Sequence, residues 1–501
     1  MIRIPHISKA IILLSLSSAL FAQFRGGSDW STKGSDAHRS SWVRTDPKIS
    51  PASLAAPGFQ MIWKLKLGNE PLSAPVLLDR YIGYRGFRTY AFVGGNAEDV
   101  FALDSDLGRL EWQKHFSATS SKGSANCPGG MTASLTRPLS SAFPSAANNR
   151  FGGMGGRGGP AKSGVGQPLE GAVTLAQVAA NRPPTPPPPT TPAPGAAPQP
   201  ARPPGGFGPT PQFVYSLSSD GAFHSMYVSN GEEPAPAVKF LPPNANVSDL
   251  SVVDGVAYAT TANRCSGAAA GVWALDLTSK AVKSWQGAPV GGETAFGPAG
   301  NYLTAENKLL ALDLKTLAPV ATYEADQPFT TAPIVIDYKN RILLAAAAKD
   351  GTIHLLDSAT PTTAVAKSAA GDADPYALAT WQTIAETRWI IATGAKSITA
   401  WKLIDQNGST SLKQDWTIHD LMTPATPLII NGVLFVLQRG DRSHTALLSA
   451  YDATTGKQLW TSGDAIKSFV PKSGGLAAGG SSIYLGTNDG TLWAFGFPIE
   501  H

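Results

Sequence analysis

The sequence predicts an all-β protein: an eight-bladed β-propeller of four-stranded antiparallel blades, closed by an N-terminal strand and interrupted by a disordered Gly/Pro-rich insert. Three observations predict it. A short apolar strand ending in a small residue, an apolar residue and Asp recurs along the chain. Turn residues flank the copies at repeated offsets. Gly 51 and Pro 40 in 501 residues, with only 15% charged, suit turn-rich strands and exclude an all-helical chain. The aromatic content of 12 Trp, 12 Tyr and 19 Phe excludes a charged disordered chain. A formal charge of +4 over this length implies neither nucleic-acid nor membrane-surface binding.

Residues 1–22 read as a signal peptide, with basic Arg3 and Lys9, an apolar run from Ala10 to Phe21, and Leu20-Phe21-Ala22 before the cleavage point. The run is shorter than the roughly 18–20 residues of a spanning helix. No transmembrane helix is therefore expected after signal removal, and the mature chain is expected in the periplasm or outside the cell. A lead-in segment follows at 23–58, then the propeller at 59–137 and 213–499, with the insert at 138–212 between.

The repeat appears as Ala102-Leu103-Asp104, Ala274-Leu275-Asp276, Ala311-Leu312-Asp313, Leu355-Leu356-Asp357 and Ala450-Tyr451-Asp452. Degenerate copies end at Tyr227, Lys402 and Gly496. After a first gap of 123 residues, the spacings are 49, 37, 44, 45, 50 and 44, each fitting one four-stranded blade. The segments alternate, as Thr491-Leu492-Trp493-Ala494-Phe495 does, which separates strands from helical repeats. Asp220-Gly221, Asp350-Gly351 and Asp489-Gly490, with Asn307 in a fourth copy, mark the hairpin before the motif, because Gly and Asn tolerate positive φ. The motif residues Asp104, Asp276, Asp313, Asp357 and Asp452 are expected to bond the amides of the turn that follows. Trp112, Trp285 and Trp460 begin the outer strands, where a flat side chain can fill the wedge between blades. The last blade lacks its outer strand. The unpaired run Gln60 to Leu67, with Trp63 in the Trp position, is expected to supply it and remove two exposed edges.

These residues resemble the pyrroloquinoline-quinone (PQQ)-type β-propeller family, whose consensus runs strand, Asp-Gly turn, Ala-Leu-Asp, Thr-Gly turn, Trp. Gly490 to Phe495 and Ala450 to Trp460 match it best, and Asp29 to Ser40 resembles the family's N-terminal segment. The Gly-His and Trp-Asp pairing of WD-type propellers is absent. The resemblance implies a possible quinone cofactor held with calcium, but the motifs do not support that implication. The vicinal Cys-Cys of those dehydrogenases is missing, no Cys-x-x-Cys-His attaches haem, and Asp372-Ala373-Asp374 reads as a turn. The resemblance also extends to the propeller lipoprotein of the outer-membrane protein assembly machine. This chain departs from it by lacking the lipid-anchor Cys and by carrying the insert.

The insert contains Gly152 to Gly159 and a tract from Pro183 to Pro211 with 14 Pro in 29 residues, which cannot form a ladder or a helix. A surface spacer between blades one and two is expected; RNA binding by the Gly/Arg part and docking of the Pro part to an aromatic groove are the functional alternatives. Cys127 and Cys265 are the two cysteines, and in an exported chain they are expected to form a disulfide.

Few residues suggest chemistry. His224 and His354 occupy the repeat position of Phe101, Trp273 and Trp493, and are expected in the core. No catalytic residue and no metal ligand is assigned. Arg80, Tyr84, Arg85, Phe87, Arg88 and Tyr90 interleave cations with aromatics, a pattern that can grip an anionic ligand or a glycan; the same alternation serves a blade strand at an interface. The sequence therefore predicts a monomeric, exported, non-catalytic scaffold that binds an envelope or extracellular protein. A quinone-dependent periplasmic oxidoreductase and a glycan- or small-molecule-binding module are the alternatives.

Overall fold

The computed structural model describes residues 29–83, 86–118, 127, 129–143, 212–262, 265–371 and 374–498. The signal segment 1–22, residues 84–85, the tract 183–211 and residues 372–373 lie outside the described residues. The chain forms eight antiparallel blades in one propeller ring. Blade one shows the pattern: Val76–Gly83, Gly86–Gly95, Asp99–Asp104 and Arg109–His115 pair in order from the channel outwards. All eight repeat copies fall on, or end directly after, the third strand of a blade. Gln60–Lys66 pairs antiparallel with Thr491–Gly496, so the chain's first long strand is the outer strand of its last blade.

The turn chemistry follows the repeat. Asp452 Oδ1 accepts from the amides of Thr454 at 2.8 Å and Thr455 at 3.1 Å. Asp276 and Asp313 each accept from the amides two and three residues on. In blade four the left-handed residue is Glu306, φ 52°, one position before the expected Asn307, whose side chain instead donates to Ala325 O. Neighbouring blades are joined at these turns. Trp63 Nε1 donates to Ser105 O at 2.9 Å, and its ring lies so close to Gly108 that a Cβ there would stand 2.5 Å from it. Gly108 also has φ +62°, so both conformation and contact require glycine. Trp112 of blade one covers Gly231 of blade two in the same way.

Blade two differs from the expectation. Its second, third and outer strands are Phe213–Leu217, Ala222–Tyr227 and Val238–Lys239, and its innermost position is supplied by Thr136, bridged antiparallel to Tyr215. The insert thus leaves from within blade two, between its first and second strands, rather than between blades one and two. Its first residues are ordered: Pro138–Leu139 runs parallel to Val252–Val253 of blade three. Beyond it, Phe143 stacks on His38 at 3.8 Å.

The lead-in segment is the hub of the ring. Residues 37–41 are non-repetitive yet buried. Such a segment survives inside a protein only if its backbone groups are satisfied, and here the blades satisfy them in turn. Leu77 N of blade one donates to Trp30 O, and Arg137 N beside blade two to Ser31 O. Thr32 Oγ1 reaches Leu250 O of blade three. Phe296, Val335, Thr380 and Ile429 of blades four to seven donate to Ala37, His38, Ser40 and Ser41. Trp42–Val43 then pairs parallel with Ile429–Ile430, and Asp46 accepts from Ser481 of blade eight. Asp36 shapes this path by accepting from the amides of His38 and Ser40, both at 3.0 Å. Among the described residues no helix is long and apolar enough to cross a membrane.

Candidate functional site

The inner strands run through the ring in one direction, and the lead-in divides the channel into an upper mouth where they begin and a lower mouth where they end. The upper mouth is a cavity of about 470 Å³ whose lining includes Trp30, Lys33, Glu293, Tyr376, Arg439 and Lys472. Its floor is Arg39, which is 4% exposed. Arg39 donates to Thr294 O at 2.9 Å, to Ser251 Oγ at 3.1 Å, and to the Asp249 carboxylate with which it forms a buried ion pair. Lys33 pairs with Glu293 at 2.6 Å. Burial pushes the Glu293 carboxyl up, but Lys33 and Arg39 more than offset this and hold it below the usual carboxylate range.

The remaining charges are cationic. Arg439 Nη1 donates to Pro471 O at 2.8 Å and Gly474 O at 2.9 Å, tying blade seven to the connection into blade eight. Carbonyls leave its positive charge unneutralised, and burial pushes the guanidinium down from its ordinary value. Lys472 is exposed and forms no ion pair among the described residues. Trp30, 2% exposed, has an indole N–H with no acceptor among the described residues. The mouth therefore offers donors and positive charge while both neighbouring carboxylates are committed. Chemically it can hold an anion.

A calcium-held quinone is a poorer fit. A hard cation needs several oxygen donors, but Asp249 and Glu293 are engaged by Arg39 and Lys33, and the free charges would repel it. No group of three His, Cys, Asp or Glu able to hold a metal is found among the described residues.

The other candidates are dispersed. Arg88 is held by Asp104 and by Glu111 at 3.2 Å, Tyr90 is 5% exposed within blade one, and Phe87 is 76% exposed on the hairpin. Tyr84 and Arg85 lie outside the described residues, as does the side chain of Arg80. Trp285 packs with blade-four residues including Leu312 and Leu317, and Trp460 meets Phe495 of blade eight edge-on at 5.8 Å. Asp104 and Asp357 accept from amides of their turns. Cys127 and Cys265 form a disulfide with Cα atoms 5.6 Å apart, closing a 138-residue separation that contains the insert.

One constellation resembles a nucleophile–base–acid relay. Ser218 Oγ lies 2.9 Å from His224 Nε2, and His224 Nδ1 is 2.5 Å from Glu233. Blade eight shows what the arrangement is. There Thr487 Oγ1 donates to Asp489 at 2.6 Å and accepts from Trp493 Nε1 at 3.1 Å, at identical sequence offsets. An indole can only donate, so the hydroxyl proton points away from it, to the Asp or to Thr491 O. Ser218 likewise bonds Asp220, and at 3% exposure it faces no substrate. The cluster braces the turn. His354, 3% exposed, is held by Tyr323 Oη at 2.9 Å.

Sequence reasoning missed Arg39, Asp249, Glu293, Arg439 and Lys472, which come from five separate segments with no common spacing. The one available signal was the polar run Asp36-Ala37-His38-Arg39-Ser40-Ser41, which lacks strand alternation yet precedes the closing strand.

No family model matches the chain, and no curated protein matches it. Solved structures do. A quinohemoprotein alcohol dehydrogenase from Comamonas testosteroni is 12% identical, with a TM-score of 0.58 over 94% of this chain and 82% of the other. A europium-containing methanol dehydrogenase is 10% identical, with a TM-score of 0.53 over 94% and 98%. BamB from Moraxella catarrhalis is 12% identical, with a TM-score of 0.47 over 88% and 100%. At these identities the two dehydrogenases establish a shared propeller fold and nothing about activity.

Proposed function

We propose that this chain is an exported, non-catalytic propeller scaffold that holds an anionic group of a partner, a carboxylate side chain or terminus, in the upper mouth of its channel. The observation that carries the reading is the charge arrangement of that mouth: among the described residues, Arg439 and Lys472 are cations without carboxylate partners, and Trp30 is a buried donor without an acceptor. The disulfide fits an oxidising compartment and so supports export. Titrating a labelled tetraglutamate peptide against its tetraglutamine counterpart tests the proposal. The acidic peptide should bind with strong salt dependence, and Arg439→Ser with Lys472→Ser should weaken it about tenfold, or about 1.4 kcal/mol. Equal binding of the two peptides sinks the reading. The oxidoreductase alternative is separated by adding the quinone with calcium and following dye reduction, which the scaffold reading expects to stay at background.

A further inference from the structure

The lower mouth opens into a second cavity, of about 1090 Å³, on the opposite side of the lead-in from the anion site. Its size suits a ligand larger than the upper mouth admits. Val43, Pro47, Pro51, Trp381 and Ile384 make its walls apolar, and Ile384 stands fully exposed at the blade-six turn. An apolar side chain left open at the rim of a concave apolar site is the kind of surface a ligand covers.

The charged lining of this cavity is mixed, with Arg44 and Lys48 set against Asp46, Asp79 and Asp452, and Arg388 lies just behind it. Arg44 lies over the Trp42 ring at 4.5 Å and forms no ion pair among the described residues. Arg388, 3% exposed, approaches the same ring at 5.4 Å with its Nε unbonded. Its partners are the Asp337 carbonyl and Gln382 Oε1, so no carboxylate is bonded to it. Two guanidiniums therefore share one indole, and neither is bonded to a carboxylate. The carboxylates lining the cavity keep their charge but are bonded to other groups than Arg44. Asp46 accepts from the amides of Lys48, Ile49 and Ser481, and Asp452 from its own turn; Asp79 sits at the blade-one rim, accepting from Thr89 Oγ1 at 3.5 Å. Trp381, 3% exposed in the wall, carries an indole N–H with no acceptor.

We infer that the lower mouth is a binding site for an amphipathic organic anion of the medium-chain fatty-acid type, with the carboxylate at Arg44 and the chain along Val43, Pro51, Trp381 and Ile384. An ion with no apolar body would leave the walls wet, and a neutral hydrocarbon would leave Arg44 unpaired. Only the combination satisfies both.

Calorimetric titration of the mature protein with dodecanoate, and with dodecanol as the uncharged isostere, tests it, both below their self-association limits. Dodecanoate should bind saturably at one site and at least tenfold tighter than dodecanol. Arg44→Gln should remove that preference while leaving dodecanol binding unchanged, and Ile384→Ser should weaken both ligands. Arg439→Ser, at the other mouth, should change neither. Equal binding of the two ligands, no saturable binding, or an Arg44→Gln protein that still prefers dodecanoate overturns the proposal. Arg44 makes no ion pair among the described residues, and its substitution should leave the melting temperature within the wild-type range, which confirms that the variant is folded.

Discussion

At the upper mouth the inner strands begin, fed by loops such as the Val290–Gly292 turn and the Pro471 to Gly475 connection. At the lower mouth they end in hairpins, and the lead-in leaves as Trp42 to Pro51. One segment thus makes the floor of both mouths, yet their chemistry differs. Upward it presents Arg39 and Lys33, each committed to a buried or half-buried carboxylate. Downward it presents Arg44 and Trp42 with no such commitment. The difference teaches where stability and binding part company. Charge bonded to a buried carboxylate serves the ring alone, whereas charge left for a ligand has no such partner and lines a cavity.

The sharpest way to break this comparison is to remove one half of the buried pair. Asp249→Ala leaves Arg39 desolvated without its bonded carboxylate, and should cost about 3–5 kcal/mol in urea denaturation. Arg44→Ala, the matching change below, should stay within about 0.5 kcal/mol of the parent. Equal losses at the two positions would mean that the mouths are not divided as described.

A smaller effect should follow from the disulfide, which joins the approach to blade two to a loop of blade three. Replacing Cys127 and Cys265 by Ser should lower stability by about 2–4 kcal/mol, since the long closed loop regains freedom in the unfolded chain. Melting with and without reductant measures it. Dodecanoate affinity below should be unchanged in the same protein; a parallel loss there would show that the lower cavity depends on the loop closure.

Most of the ring could be read in the sequence because each blade writes its own turns. Asp452, Thr455 and Gly456 encode a corner locally, and Gln60 to Leu67 stood out as a strand without a partner. Blade two was harder, because the insert separates Thr136 from Tyr215 by more than seventy residues and erases the spacing. The hub was illegible for a different reason. Its bonds run mostly from lead-in carbonyls to amides of blades one and four to seven and of Arg137 beside blade two, and backbone atoms leave no trace in residue identity. Both mouths inherit that blindness: Arg439 and Glu293, or Arg44 and Trp381, meet only because the ring closes. Where a local pattern did suggest chemistry, at residues 80–90, Arg88 and Tyr90 are held within the blade while Phe87 stands exposed on the hairpin.

Acid should separate the mouths by the smallest effect and the most distinct window. His38, 3% exposed, lies toward the lower side between Phe143, Asp36, Arg44 and Asp337, with Nε2 at 3.1 Å from Ser141 O. Burial lowers its pKa below the ordinary 6.5, with Asp36 opposing. The unfolded chain therefore takes up the proton first, and stability falls as pH drops below about 6.5 until the folded pKa is reached, by at most about 1.4 kcal/mol per pH unit. Glu293 above behaves oppositely in range. Its folded pKa is depressed by Lys33 and Arg39, so its contribution is complete above the usual carboxylate value and is lost only as pH falls through that lower range. His224 and His354 are also shifted down by burial, so the wild-type slope is a sum. His38→Gln, which keeps a donor for Ser141 O, isolates one share: its stability should fall less steeply between neutral pH and mild acid, while the loss at strongly acidic pH stays that of the parent. An unchanged slope in mild acid would show that the His38 ring can take a proton in place, and that the lower half of the hub is wetter than its packing implies.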